Sequence, residues 1–83
     1  MKFVVIDGVA GEEMFLFPST LAHNDVARRV GGTDVKVVSA GTVIADDPDD
    51  THLVCVGEST TLRVKARGAK DDSLLRVLLR TYS

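Results

Sequence analysis

Cysteine occurs once in this chain, at Cys55, so no internal disulfide can form and nothing in the thiol content points to an oxidising compartment. Long apolar runs are also missing. The N-terminal run covers only Phe3 to Ile6, against the roughly 18–20 residues that a membrane-spanning helix needs. The sequence therefore predicts a cytoplasmic protein with no membrane association. Aromatic residues are few: Phe3, Phe15, Phe17 and Tyr82. None falls inside the basic run near the C-terminus, which weakens a stacking platform for single-stranded nucleic acid. The formal net charge of −2 is too small to mark a DNA mimic or a general nucleic-acid binder. Nucleophile elbows, phosphate loops, dinucleotide fingerprints and zinc-ligand spacings are absent, and no cofactor is implied.

What is present suits one small domain spanning residues 1–83, with 45% apolar residues. A chain of this length buries only about 60% of its unfolded surface, so the core is expected to be thin. "KFVVI" at 2–6 is apolar on both sides, as in a central covered strand, and "MFLF" at 14–17 pairs with it across a glycine-containing turn. "HNDVARRVGG" predicts a helix, with Asp25 in its first turn, Arg28 and Arg29 in its last and Gly31 as its stop. Its expected buried stripe is Ala22, Val26, Ala27 and Val30. "DVKVVSAGTVIA" reads as a strand with a bulge or close backbone approach at Ala40–Gly41, and "THLVCVGE" as its return.

"TTLRVKAR" alternates strictly, predicting an edge strand with Leu62, Val64 and Ala66 inward and Arg63, Lys65 and Arg67 outward. A final helix follows, capped by Asp71 or Asp72. Its Leu74, Leu75, Leu78, Leu79 and Tyr82 share one arc of about 140°. The order is ββαβββα. It predicts an α+β fold, an antiparallel sheet of four to five strands with two helices packed on one face. Strands apolar on both sides require either helices on both faces or a second copy over one of them, and on the second reading a homodimer is expected.

Chemistry-bearing residues cluster in "IADDPDDTHLVC", residues 44–55. Counted from Asp46, a calcium loop would need a ligand at Pro48, a glycine at Thr51 and a glutamate at Gly57, so the spacing fails. "DDPDD" is instead a hairpin loop by its chemistry. His52 and Cys55 are three apart on a strand and point to opposite faces, so they do not share a metal. Cys55 shares its face with Leu53 and reads as a small buried hydrophobe. His23 stands at a helix start, as a cap or a surface side chain. A small hydrolase or transferase would need His23 brought together with Ser19 or Ser39.

The basic set is the most specific feature. Residues 1–59 carry a net −6 and residues 60–83 a net +4. Arg63, Lys65 and Arg67 line one predicted strand face. Arg76 and Arg80 form a like-charge i,i+4 pair, unfavourable by a few tenths of a kcal/mol in an isolated helix. These five are the candidate binding residues, with a protein partner favoured over nucleic acid. The acidic hairpin loop is an internal alternative partner for them.

With "FPSTLAHNDVA", "VVSAGTV", "CVGES" and "DDSLLRVLL", the chain resembles, over residues 17–79, a group of short uncharacterised bacterial proteins found in prophages and mobile gene cassettes. Thr42 stands where that pattern has an aromatic residue. The resemblance implies an accessory protein of mobile DNA and assigns no residue a role; the short chain without a convincing catalytic cluster reads as non-enzymatic. A narrower version is a phage-type inhibitor that docks on a host nucleic-acid defence machine.

Overall fold

The computed structural model describes residues 1–8, 11–31, 36–45 and 52–81. The "DDPDD" segment and Tyr82 lie outside the described residues. Strand β1 (Lys2–Gly8) pairs antiparallel with β2 (Gly11–Phe17), from Lys2 opposite Phe17 to Gly8 opposite Gly11. Helix α1 (His23–Gly31) follows, then β3 (Val37–Ala45) and β4 (Leu53–Val56). Two short strands, β5 (Glu58–Ser59) and β6 (Val64–Lys65), form a separate ribbon, and helix α2 (Ala69–Thr81) closes the described chain. The expected order ββαβββα holds. The return strand is broken at Gly57, whose φ of 82° turns the chain out of β4 and into β5.

The main sheet is fully antiparallel, in the order β2-β1-β3-β4. The all-apolar "FVVI" is therefore interior, and its residues alternate between two cores. Phe3 and Val5 face a cluster with Met14, Cys55 and Leu75 of α2. Val4 and Ile6 face a second cluster with Phe17, Ala40 and Val26 of α1. Phe3, Val4 and Val5 are completely buried, each contributing on the order of 1.5–3 kcal/mol from burial.

Three expectations are corrected here. The helices do not share a face: α2 covers one side of the sheet, and α1 with the β5–β6 ribbon covers the other. A strand apolar on both sides thus finds both covers within its own chain, and no second copy is needed for that purpose. The predicted edge strand over 60–67 is reduced to Val64–Lys65, because residues 60–63 turn and Arg63 takes a left-handed φ of 56°. Leu62 and Val64 pack on α1's side while Ala66 packs on α2's side, so the chain passes from one face to the other between residues 64 and 66. The stripe on α1 is narrower than its period suggests. Val26 and Ala27 are buried, but Ala22 and Val30 are exposed, since this nine-residue helix meets the sheet over little more than one turn.

At Gly41 the close approach is real. An added Cβ would land on the Val56 carbonyl oxygen and crowd Phe3. The register shift in β3 lies a few residues earlier, opposite Val5–Ile6. Among the described residues no helix is long and apolar enough to cross a membrane.

Candidate functional site

The N-terminus of α2 is the centre of a charged network. Gly68, at a φ of 65°, turns the chain into the helix and leaves Arg67 just ahead of it. Asp71 follows one helical turn later and is completely buried. Its Oδ2 accepts the backbone N–H of Arg67, the residue before the N-cap Gly68, at 2.6 Å, which fixes the entry of the chain into the helix. Its Oδ1 accepts the Ser39 hydroxyl at 2.9 Å and Arg67 Nε–H at 2.9 Å, with Arg67 Nη2 at 2.7 Å. The same guanidinium forks onto Glu12 of β2, donating from Nη1 at 3.0 Å and from Nη2 at 2.9 Å. Lys70 stands 3.6 Å from Glu12 and adds a second positive charge. Asp72 accepts the Cys55 N–H of β4 at 2.7 Å. This small group ties α2 to β2, β3 and β4 at once.

Electrostatics follow the geometry. The hydrogen bond from Arg67 holds the Glu12 carboxyl below its ordinary value, against the opposing effect of burial, with the charges of Arg67 and Lys70 adding to it. Arg67 is correspondingly raised, first by its bond to Glu12. The Cys55 thiol is pushed up to about 12, first by burial and then by the negative charges of Asp72 and Asp71. It stays protonated at neutral pH and lacks the thiolate that nucleophilic chemistry requires. Among the described residues, every buried side-chain nitrogen and oxygen has a hydrogen-bond partner, and no cluster of three or more His, Cys, Asp or Glu could hold a metal ion.

The five basic candidates do not form one surface. Arg67 is turned inward, onto Glu12 and Asp71, and does not extend the row begun by Arg63 and Lys65. Arg63 and Lys65 are exposed on the outside of the ribbon, on α1's side of the sheet. Arg76 and Arg80 are exposed on α2, on the opposite side. The alternation over 60–67 predicts Arg67 outward; the i,i+4 spacing of Arg67 and Asp71 is the signal that points to their pairing. Glu12 carried no such signal, being 55 residues away from Arg67 in the chain.

His23 is buried rather than a surface cap. Its Nε2–H donates to the Gly41 carbonyl at 2.8 Å, and its ring meets Phe17 edge-on with centroids 5.5 Å apart. It lines a shallow polar cavity of about 310 Å³ together with Lys2, Thr42, Ser59 and Thr61. Ser39 lies across the sheet, bonded to Asp71 on α2's side, and Ser19 is exposed in the turn before α1. The pairing of His23 with Ser19 or Ser39 required by a hydrolase is not assembled. Ser59 does share the cavity, and its hydroxyl accepts the Leu62 N–H at 3.3 Å. His52 is exposed while Cys55 is buried, as their three-residue spacing on a strand implies.

The class defined so far is a small three-layer α+β protein, α2 over a four-stranded antiparallel sheet over α1 and a two-stranded ribbon. Comparison with protein-family models, with curated proteins and with solved structures found no match to the chain.

Proposed function

We propose that the chain is a non-enzymatic accessory protein that binds another macromolecule, a protein with an acidic face, through the outer surface of the β5–β6 ribbon. The observation that carries this reading is Arg63. It occupies the end of the 60–63 turn at a φ of 56°, a conformation that costs a non-glycine residue on the order of 1 kcal/mol and that glycine would take freely. Backbone strain of this kind concentrates at functional positions. Its side chain is exposed next to exposed Lys65, and neither enters an ion pair among the described residues.

The missing aromatics and the net charge of −2 favour a protein partner over nucleic acid. The placement of Arg76 and Arg80 on the other side of the sheet makes them a separate basic element on α2 and not part of this contact. The resemblance to prophage and cassette proteins supports the accessory role within a mobile element, and the lone cysteine agrees with a cytoplasmic setting.

The test is a pull-down from the source cell, read by mass spectrometry, with the wild-type chain and an Arg63→Gln, Lys65→Gln double variant. The variant is expected to fold normally and to lose the partner. Association should slow with salt while added nucleic acid fails to compete. Competition by nucleic acid, or full retention of the partner by the folded variant, overturns the reading.

A further inference from the structure

The two edges of the main sheet are unlike. β4 is four residues long, its Cys55 N–H is taken by Asp72, and the Ala66 N–H bonds the Gly57 carbonyl just beyond it. β2 is seven residues long, and no hydrogen bond from another element reaches its outer backbone among the described residues. An open edge of this length is a template for another strand. Alongside it runs an apolar groove between β2 and α2. One cavity of about 270 Å³ is lined by Met14, Phe15, Leu74, Val77 and Leu78, and by Glu12 and Glu13. A second, of about 290 Å³, adds Leu16 and Leu79. Val77 and Leu79 are 59% and 41% exposed, too much for a helix whose apolar arc is fully used within the chain.

The geometry points to a second copy of this chain as the occupant, joined through antiparallel pairing of β2 with β2 about a two-fold axis at Met14. That register is set by the strand itself. Met14 is the midpoint of Gly11–Phe17, so centring there pairs all seven residues. It also sets Glu12 opposite Leu16 and Glu13 opposite Phe15 of the second copy. Centring on Glu13, or between Glu12 and Glu13, would instead oppose carboxylates directly, which is destabilising. The charges agree with the two-fold: Glu13 lies outside the Arg67 fork on Glu12, and the end of the other β2 that it approaches carries Lys2 opposite Phe17. Opposite residues in such a pair point to the same face, so both α2 helices lie on one side of a continuous eight-stranded sheet, and the two grooves join. This surface is separate from the ribbon proposed above, so either proposal can fail alone.

Register-specific cross-linking provides the test. Directly opposed strand residues lie about 5 Å apart, within disulfide reach, whereas residue 13 of one copy and residue 13 of the other are about 8 Å apart, beyond it. Glu13→Cys mixed with Phe15→Cys under mild oxidation is expected to give a disulfide-linked pair that neither variant gives alone. The native Cys55 thiol is buried and protonated and does not compete. In parallel, Val77→Asp, at an exposed position that folding does not need, is expected to shift the wild-type dimer to monomer in sedimentation equilibrium at low micromolar concentration. A wild-type chain that is monomeric at every concentration overturns the proposal. So does a dimer that survives Val77→Asp, or a linked pair formed by Glu13→Cys alone. A monomer that instead binds an unrelated extended peptide along β2 also overturns it, by making the edge a site for a foreign strand.

Discussion

Beneath α2, charge is turned inward. On the side of α1 and the ribbon, charge is turned outward. The α2 face holds the completely buried Asp71, bonded to Ser39 and Arg67, with Glu12 closing the other side of the guanidinium. The α1 face is latched by a neutral contact, His23 to the Gly41 carbonyl, and its arginine and lysine, Arg63 and Lys65, stand in solvent. Residues of the same type, four positions apart in one chain segment, therefore have opposite uses. Arg67 orients a helix against three strands, and Arg63 stands exposed to solvent. A buried ion pair is a demanding way to close a layer, since each charge must be matched once water is removed. It does specify a single seating for α2, which purely apolar contacts between leucines and a flat sheet would not.

The largest expected effect comes from breaking the inward charges. Asp71→Ala leaves the Arg67 guanidinium with Glu12 alone and removes the acceptor for the Ser39 hydroxyl and the Arg67 N–H. Leaving the Ser39 hydroxyl and the Arg67 N–H without their acceptor costs roughly 1–3 kcal/mol each, out of a total of about 5–15 kcal/mol for a small domain. Urea unfolding should show the variant largely unfolded, or with a much lower midpoint.

His23→Ala tests the neutral latch on the other face. It leaves the Gly41 carbonyl without its donor and removes the ring from Phe17, for a loss of about 1–3 kcal/mol. A loss as large as that of Asp71→Ala would show that the two faces are closed with equal strength.

Acid should weaken the α2 face selectively. The folded-state pKa of Glu12 lies below its ordinary value of 4.5, chiefly through the Arg67 hydrogen bond. A depressed carboxyl contributes stability that is fully present above the unfolded value and lost as pH falls through the folded one. Stability should therefore decline on acidification below 4.5, and Glu12→Gln should flatten that decline. Urea midpoints measured across the acid range give the answer, and an unchanged slope in the variant would remove Glu12 from the network.

The smallest effect concerns the outward charges. Arg63→Gly releases the left-handed backbone at the turn, for a gain of about 0.5–1 kcal/mol. The same change should weaken the proposed partner contact. Stability and binding moving in opposite directions, by thermal melts and by pull-down, would separate the outward basic pair from the inward one. A destabilised Arg63→Gly variant would show instead that Arg63 holds the ribbon.

Local pattern was a good guide to elements and a poor one to their uses. "FVVI" was legible as a covered central strand because four successive apolar β-formers leave no polar face. The final helix was legible from its leucine spacing, and Cys55 as buried from its sharing a face with Leu53. The ribbon was not, because "TTLRVKAR" keeps its alternation of inward and outward residues through Ala66 while the backbone turns at residues 60–63 and changes face before Ala66. His23 was misjudged for a similar reason. A helix start signals capping, whereas the carbonyl that accepts its hydrogen bond is 18 residues away on β3.

The sequence by itself determined the order and identity of the elements, the two-sided apolar character of β1 and the absence of metal-ligand and nucleophile motifs. These depend on periodicity over a few residues, which backbone geometry translates directly into helix or strand. Only the tertiary structure decided that α1 and α2 take opposite faces, that Ser39 and His23 are parted by the sheet, and that Arg67 is internal while Arg63 is not. Those outcomes depend on groups far apart in the chain, above all Glu12 and Arg67, whose attraction becomes strong only when folding has brought them together and excluded most of the water between them.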